Sequence, residues 1–192
     1  MEGEGGLPPG QSAIDTMLLR HIGAIPPFDP KTWTLKISGL VETPQTLTWD
    51  DFLKLPKISQ ISDFHCVEGW SVLKNRWEGV LFKEIVNSAK PKREARYVTL
   101  QCDDDYSTFL QLEDLMDDDV LLAYKLNNKE LKPENGGPLR LIVPKKYAYK
   151  SPMWLRRMIF TSEREPGYWE KKGYSYTADA WKEDRYERTK GS

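Results

Sequence analysis

Between residues 32 and 39 the chain reads TWTLKISG, with Trp33, Leu35 and Ile37 alternating against Thr34, Lys36 and Ser38. A period of two with one apolar face predicts a half-buried strand, and Gly39 marks its end. In LTWDDFLKLP (47–56) the period changes. Thr48 stands as an N-cap with Asp51 three residues on, and Pro56 stops the segment, so a short helix is expected. ISQISDFHCVEGWSV (58–72) predicts a strand running into a glycine-containing turn. VLFKEIVNSAK (80–90) predicts an amphipathic helix with Leu81, Ile85 and Ala89 on one face. ARYVTLQC (95–102) reads as a buried strand ending at Asp103, Asp104 and Asp105, and QLEDLMDD (111–118) as another short helix. VLLAYKLNNKEL (120–131) predicts a hairpin that turns at Asn127-Asn128. GGPLRLIVP (136–144) and RMIFTS (157–162) are two further strands, with the basic and aromatic segment KKYAYKSPMWLRR (145–157) between them.

The ends are less patterned. Residues 1–16 read as a flexible arm, the prolines of AIPPFDP (24–30) predict extended coil, and 163–192 is a charged, aromatic tail with no period. Residues 17–192 are expected to form a single domain. Short, mixed elements without a repeat favour an α+β fold over a parallel βαβ sheet.

Composition narrows the function classes. The 28 basic and 29 acidic side chains give a net charge of −1. That balance lacks the basic excess of a nucleic-acid binder and the polybasic cluster of a membrane-surface protein. No apolar run approaches the roughly 20 residues that span a bilayer. The first residues, MEGEGGLPPG, lack the basic and apolar regions of an export signal. A cytoplasmic protein with neither nucleic-acid nor membrane partners is therefore expected.

Three segments carry candidate chemistry. In Phe64-His65-Cys66-Val67-Glu68-Gly69-Trp70-Ser71, Cys66 sits at a predicted strand end, where its sulfur can point into a cleft. A free cysteine is as readily buried and inert. If Cys66 is reactive, four readings compete. A Cys–His hydrolase has only His21 as a separated base. A closed zinc site needs more ligands than two Cys and two His supply. A dithiol centre wants C-x-x-C, whereas Cys66 and Cys102 are far apart. A thiolate holding a metal already chelated by an organic ligand needs only one Cys, and the inventory fits that case best. The second segment is Asn135-Gly136-Gly137-Pro138-Leu139-Arg140, in which glycines allow close backbone approach and Arg140 suits phosphate. An ordinary turn with a surface arginine would look the same. The third, Lys145-Lys146-Tyr147 with Tyr149-Lys150-Ser151, suits an anionic ligand with a flat ring system, or equally a solvated edge.

Taken in order, LPPGQ (7–11), RHIGAIPPFDPKTWTLKISGLVETPQTLT (20–48), HCVEGWS (65–71), RWEGVLF (76–82), DDDV (117–120), GGPLRLIVPKKYAYKS (136–151), WLRRMIF (154–160) and PGYWEKKGYSYTADAW (166–181) resemble the molybdopterin-binding domain of the sulfite oxidase family. The nearest likeness is to its short, haem-free bacterial and archaeal oxidoreductases, and it covers nearly the whole chain.

The resemblance implies an α+β fold of mixed, mainly antiparallel sheets with short helices around one molybdenum–molybdopterin cofactor, without haem. A tungsten form is not separated from it. Cys66 would be the protein ligand to the metal. His21, Phe64, His65, Cys102, Asn135, Arg140, Lys150 and Ser151 fall at positions of family cofactor contacts. Position 153, a Lys in relatives, is Met153 here, so Lys150 or Lys146 would take its place. Arg157 and Tyr174 match residues near the substrate site, Arg157 and Arg20 as candidates to steer an anion and Tyr174 as a proton donor. The full arginine cluster of the sulfite oxidases is not matched. The expected function is two-electron oxygen-atom transfer on a small oxyanion, S-oxide or N-oxide, with electrons exchanged with a separate partner. The alternative is a non-catalytic protein that keeps the fold for cofactor storage or partner binding.

Overall fold

The computed structural model describes residues 6–187 and arranges them around two sheets. In chain order the elements are β1 (Ser12–Ala13), β2 (Thr34–Gly39), β3 (Gln45–Thr48), α1 (Trp49–Leu53), β4 (Ile58–His65), β5 (Trp70–Leu81), α2 (Phe82–Ala89), β6 (Tyr97–Cys102), β7 (Ser107–Gln111), α3 (Leu112–Leu115), β8 (Leu121–Leu126), β9 (Lys129–Glu130), β10 (Arg140–Ile142) and β11 (Leu155–Thr161). One sheet runs β1-β5-β8-β10, with β4 beside β5 and β9 beside β8; the other runs β3-β2-β11-β6-β7. The pairs β1/β5 and β2/β11 are parallel, and the remaining ladders are antiparallel. This is the expected α+β architecture.

Burial explains the layering. Leu35 and Ile37 of β2, Val98 and Leu100 of β6, and Met158 and Phe160 of β11 point inward from the five-stranded sheet. They meet Val80, Leu122 and Leu141 of the other sheet and Phe82, Ile85 and Ala89 of α2. The six-stranded sheet is apolar on both faces. Trp77, Leu121, Ala123 and Ile142 face the far side, where they pack with Phe64, Cys66 and Trp70. Strand β8 is buried on both sides and so shows a run of apolar residues rather than alternation.

Several elements differ from their sequence reading for identifiable reasons. The helix expected over 47–56 is strand β3 followed by α1. Thr48 does cap it, in a reciprocal box with Asp51. The strand expected over 58–72 is a hairpin broken at 66–69, and β5 continues to Leu81, so α2 starts two residues late and Leu81 is outside it. Strand β7 has no sequence signal, because Thr108, Phe109 and Leu110 are all buried in succession. The hairpin turn at Asn127-Asn128 is as expected, with both residues at positive φ.

Of the expected N-terminal arm, residues 1–5 lie outside the described residues. Residues 6–16 include β1, which pairs with the start of β5. Residues 188–192 of the expected domain are likewise outside them. Among the described residues no helix is long and apolar enough to cross a membrane.

Candidate active site

The hairpin between β4 and β5 places the central side chain. The Cys66 amide donates to the Trp70 carbonyl (2.8 Å) and the Gly69 amide to the Cys66 carbonyl (3.0 Å), closing a four-residue turn. Gly69 takes φ +103°, which a residue with a Cβ rarely adopts. Behind the turn runs a chain of donors. His65 Nδ1 meets Ser71 Oγ at 2.7 Å, and Ser71 Oγ donates to Gln11 Oε1 at 2.9 Å. The Ser71 proton is thus committed to Gln11, so Nδ1 of His65 carries the donated hydrogen. Gln11 Nε2 in turn donates to the Cys66 carbonyl (3.0 Å). The Cys66 backbone is therefore gripped from both flanks.

Cys66 lines a cavity of about 490 Å³ whose walls are mainly apolar and aromatic, among them Phe64, Trp70, Tyr106, Tyr149 and Trp169. Burial pushes the Cys66 thiol up to about 11. A protonated thiol is a poor nucleophile, which weighs against the hydrolase reading. A bound metal reverses that balance, since a coordinated thiol is deprotonated. No cluster of three or more His, Cys, Asp or Glu able to hold a metal occurs among the described residues. The cavity thus suits a metal that arrives with its own chelator.

At the cavity rim Arg20 Nε donates to both carboxylate oxygens of Glu68, at 3.0 and 2.9 Å. The pairing holds Glu68 below the usual carboxylate range, helped by the Trp70 indole N–H at 3.0 Å. The same carboxylate accepts from Cys66 Sγ at 3.8 Å. On the inner wall Arg140 is buried and, among the described residues, has no carboxylate partner. Its guanidinium donates to the Asn135 and Ser151 carbonyls, each at 2.9 Å, and lies over the Phe64 ring at 4.9 Å. Its Nε has no partner. Burial lowers the Arg140 pKa to about 10, so the group remains a cation near neutral pH. A buried, uncompensated cation and an orphaned N–H beside a cavity fit an anionic ligand.

Of the residues singled out in the sequence, Arg20, His21, Phe64, Cys66, Asn135, Arg140, Ser151, Met153 and Tyr174 line this one cavity. His21 Nδ1 is engaged with the Gly23 carbonyl at 2.6 Å. Met153 packs over Gly136, where an added Cβ would lie 2.7 Å from the Met153 side chain.

Five residues are placed elsewhere. His65 lies behind the Cys66 turn. Lys150 is buried facing away, donating to the Phe109 carbonyl (2.8 Å) and pairing with buried Glu170 (2.5 Å), so its charge is consumed inside the fold. Lys146 likewise pairs with Asp114 (2.8 Å), so neither lysine reaches the wall to replace the absent Lys at 153. Cys102 and Arg157 line a second cavity, on the outer face of the five-stranded sheet. Arg157 points there because Met158 and Phe160 take the inward positions of β11. Sequence reasoning gave no role to Glu68, Gln11 or Ser71, although all three lie inside the segments LPPGQ and HCVEGWS.

Comparison with known proteins identifies the family. Residues 22–169 match the family described as the oxidoreductase molybdopterin binding domain. The chain is 39% identical to an uncharacterized oxidoreductase, YuiH, of Bacillus subtilis over 183 residues, covering 95% of this chain and 92% of that one. It is 35% identical over 160 residues to the protein-methionine-sulfoxide reductase catalytic subunit MsrP of Campylobacter jejuni, covering 74% of this chain and 54% of MsrP. Among solved structures, the sulfane dehydrogenase SoxCD of Paracoccus pantotrophus superposes with a TM-score of 0.70 at 24% identity, over 76% of this chain and 42% of that one, which is a likeness of fold. A cavity with one inward cysteine, an unpaired buried arginine and the sheet order around them thus accompany a match over most of the sequence, and the chain belongs to the molybdopterin-binding oxidoreductase family, as a short sulfite-oxidase-like member.

Proposed function

We propose that the chain reduces a small, uncharged S-oxide by two-electron oxygen-atom transfer, with Cys66 as the protein ligand to molybdenum. The observation that carries this reading is the charge state of the cavity mouth. Its wall is aromatic and apolar, Arg20 at the rim is neutralised by Glu68, and Arg157 faces a different cavity. Among the described residues, an arriving sulfite dianion would meet no free cation at the mouth, whereas a sulfoxide needs only apolar contact and a proton source. The relative named as a methionine-sulfoxide reductase subunit supports the same substrate class.

When bound, the molybdenum–pterin group supplies the exchange of an oxygen atom with two electrons. The balanced conversion is a sulfoxide plus two electrons and two protons giving a thioether and water. The electrons come from a separate redox partner. The protein's part is to bind, orient and protonate. Cys66 is presented by the turn that Gln11 and Ser71 hold. Arg140 offsets ligand negative charge from the inner wall, while Asn135 and Ser151, fixed by it through their carbonyls, line the same wall. Phe64 and Trp70 exclude water. Tyr174, whose hydroxyl is held protonated by desolvation, stands at the cavity as a proton donor.

The test uses protein made in a host that synthesises the pterin. Metal content by mass spectrometry comes first, then oxidation of a reduced viologen dye with dimethyl sulfoxide, methionine sulfoxide and trimethylamine N-oxide. Sulfite oxidation is assayed with ferricyanide. Near one metal per chain with sulfoxide turnover exceeding sulfite oxidation supports the proposal. Metal without turnover on any substrate would favour storage, and faster sulfite oxidation would reverse the substrate assignment.

A further inference from the structure

The cavity on the outer face of the five-stranded sheet, about 510 Å³, is not needed for the chemistry above. A single cross-strand row crosses it. Thr46 on β3 is in register with Lys36 on β2, Lys36 with Arg157 on β11, Arg157 with Gln101 on β6, and Gln101 with Ser107 on β7. All five residues line the cavity. Alternation sets the row: neighbouring Ile37, Leu100 and Met158 are core, so these polar residues face out together.

Two features of the row point to a ligand. Lys36 and Arg157 are directly opposed on adjacent strands, an arrangement that costs stability through like-charge repulsion. Neither is tied up in an ion pair among the described residues, although Arg157 acts through space on Asp103. The ion pair at this wall joins Arg156 to Asp103 at 3.1 Å. With Asp105 at the same wall, three cations face two carboxylates. The flanking hydroxyls of Thr46 and Ser107 and the amide of Gln101 are hydrogen-bonding groups that carry no charge.

We propose that this outer cavity is a binding site for a small tetrahedral oxyanion of the sulfate or phosphate type, held between Lys36 and Arg157. The guanidinium supplies a two-pronged donor and the ammonium a point charge. An anion there removes the repulsion between the two cations. The site also touches the metal cavity. In the β6–β7 turn, Asp103 and Asp105 line the outer cavity, Asp104 lines the inner one and Tyr106 lines both.

The experiment titrates the isotopically labelled full chain, without added metal, with sodium sulfate, phosphate and succinate at constant ionic strength, following backbone amide shifts. Saturable shifts centred on Lys36, Gln101, Ser107 and Arg157, with a midpoint below about 10 mM for sulfate or phosphate, are expected. The variant Lys36→Gln/Arg157→Gln should weaken binding about tenfold or more, and Arg157→Lys, which keeps the charge but loses the fork, by less. Both side chains are exposed, so the variants should melt like wild type, and melting curves check this. Sulfate against phosphate identifies which anion the site prefers. Binding of succinate alone, unsaturable shifts, or shifts unchanged in the double variant would each overturn the proposal.

Discussion

The inner and outer cavities are nearly equal in volume, about 490 and 510 Å³, and they share Tyr106, yet they handle charge in opposite ways. In the inner one, the charged groups are fixed in position before any ligand arrives. Arg20 is tied to Glu68, and Arg140 is buried with two of its donors on backbone carbonyls. In the outer one, Lys36 and Arg157 are exposed and lie side by side. Committed charge in an apolar wall is strong and preorganised, and suits a resident cofactor whose orientation must not drift. Uncommitted charge on an open sheet is screened by salt and suits an exchangeable ion. Arginines counted along the sequence therefore say little about substrate until each is assigned to a cavity.

The largest expected effect removes the feature peculiar to the inner cavity. Cys66→Ala should lower bound molybdenum from near one per chain to about a tenth or less, with turnover lost in proportion, because no second cysteine lines that wall. Oxyanion binding at the outer cavity should be unchanged. If metal is retained at wild-type level, the cofactor is held without a thiolate and the division between the cavities fails.

Next in size is Lys150→Met. Lys150 came from a basic and aromatic segment that looks like a ligand site, but its ammonium is paired with Glu170, itself buried and hydrogen-bonded by Thr108. Removing one member strands the other's charge, at a cost of about 3–5 kcal/mol. Lys150→Met/Glu170→Gln should recover much of it. Denaturant melts measure both. If Lys150→Met instead loses cofactor without losing stability, the lysine belongs to the inner cavity after all.

A pH dependence separates the cavities further. The folded Cys66 thiol sits near 11 against an ordinary value of 9.0, because burial disfavours the thiolate. The unfolded chain therefore gives up this proton first. The associated stability is complete below pH 9 and is lost as pH rises toward 11. Metal-free protein should show this loss and Cys66→Ser should reduce it. Alkylation of Cys66 in the metal-free protein should also stay slow at pH 8.

These cases show what a sequence carries. Cys66 and its turn were legible because HCVEGWS combines a strand end, a glycine that must take positive φ, and the chemistry in seven consecutive positions. Arg140 was legible as a cation but not as an internally bonded one, since its partners are carbonyls, which any residue provides. Lys150 was misleading because its partner Glu170 lies 20 residues away in a tail without periodicity. Arg157 was half legible. Met158 and Phe160 fix its face of the strand, but only the order β3-β2-β11-β6-β7 reveals that this face turns away from Cys66. Glu68 was in view within the motif and went unassigned, because its role depends on Arg20, far off in the chain.

That last pair gives the subtlest test. Glu68→Gln keeps an acceptor for the Trp70 indole but removes the charge that masks Arg20. The pair is exposed, so stability should change by no more than about 1 kcal/mol. Its effect should appear in selectivity. With Arg20 unmasked, the mouth gains a free cation like those of the outer cavity, and anions should be drawn to it. The ratio of kcat/KM for sulfite to that for a sulfoxide should rise severalfold at low salt and return toward wild type as ionic strength increases. Arg20→Gln/Glu68→Gln should keep the wild-type ratio, because both charges are gone together. Equal effects on charged and uncharged substrates would mean that Glu68 acts through the position of Cys66 rather than through the field at the mouth.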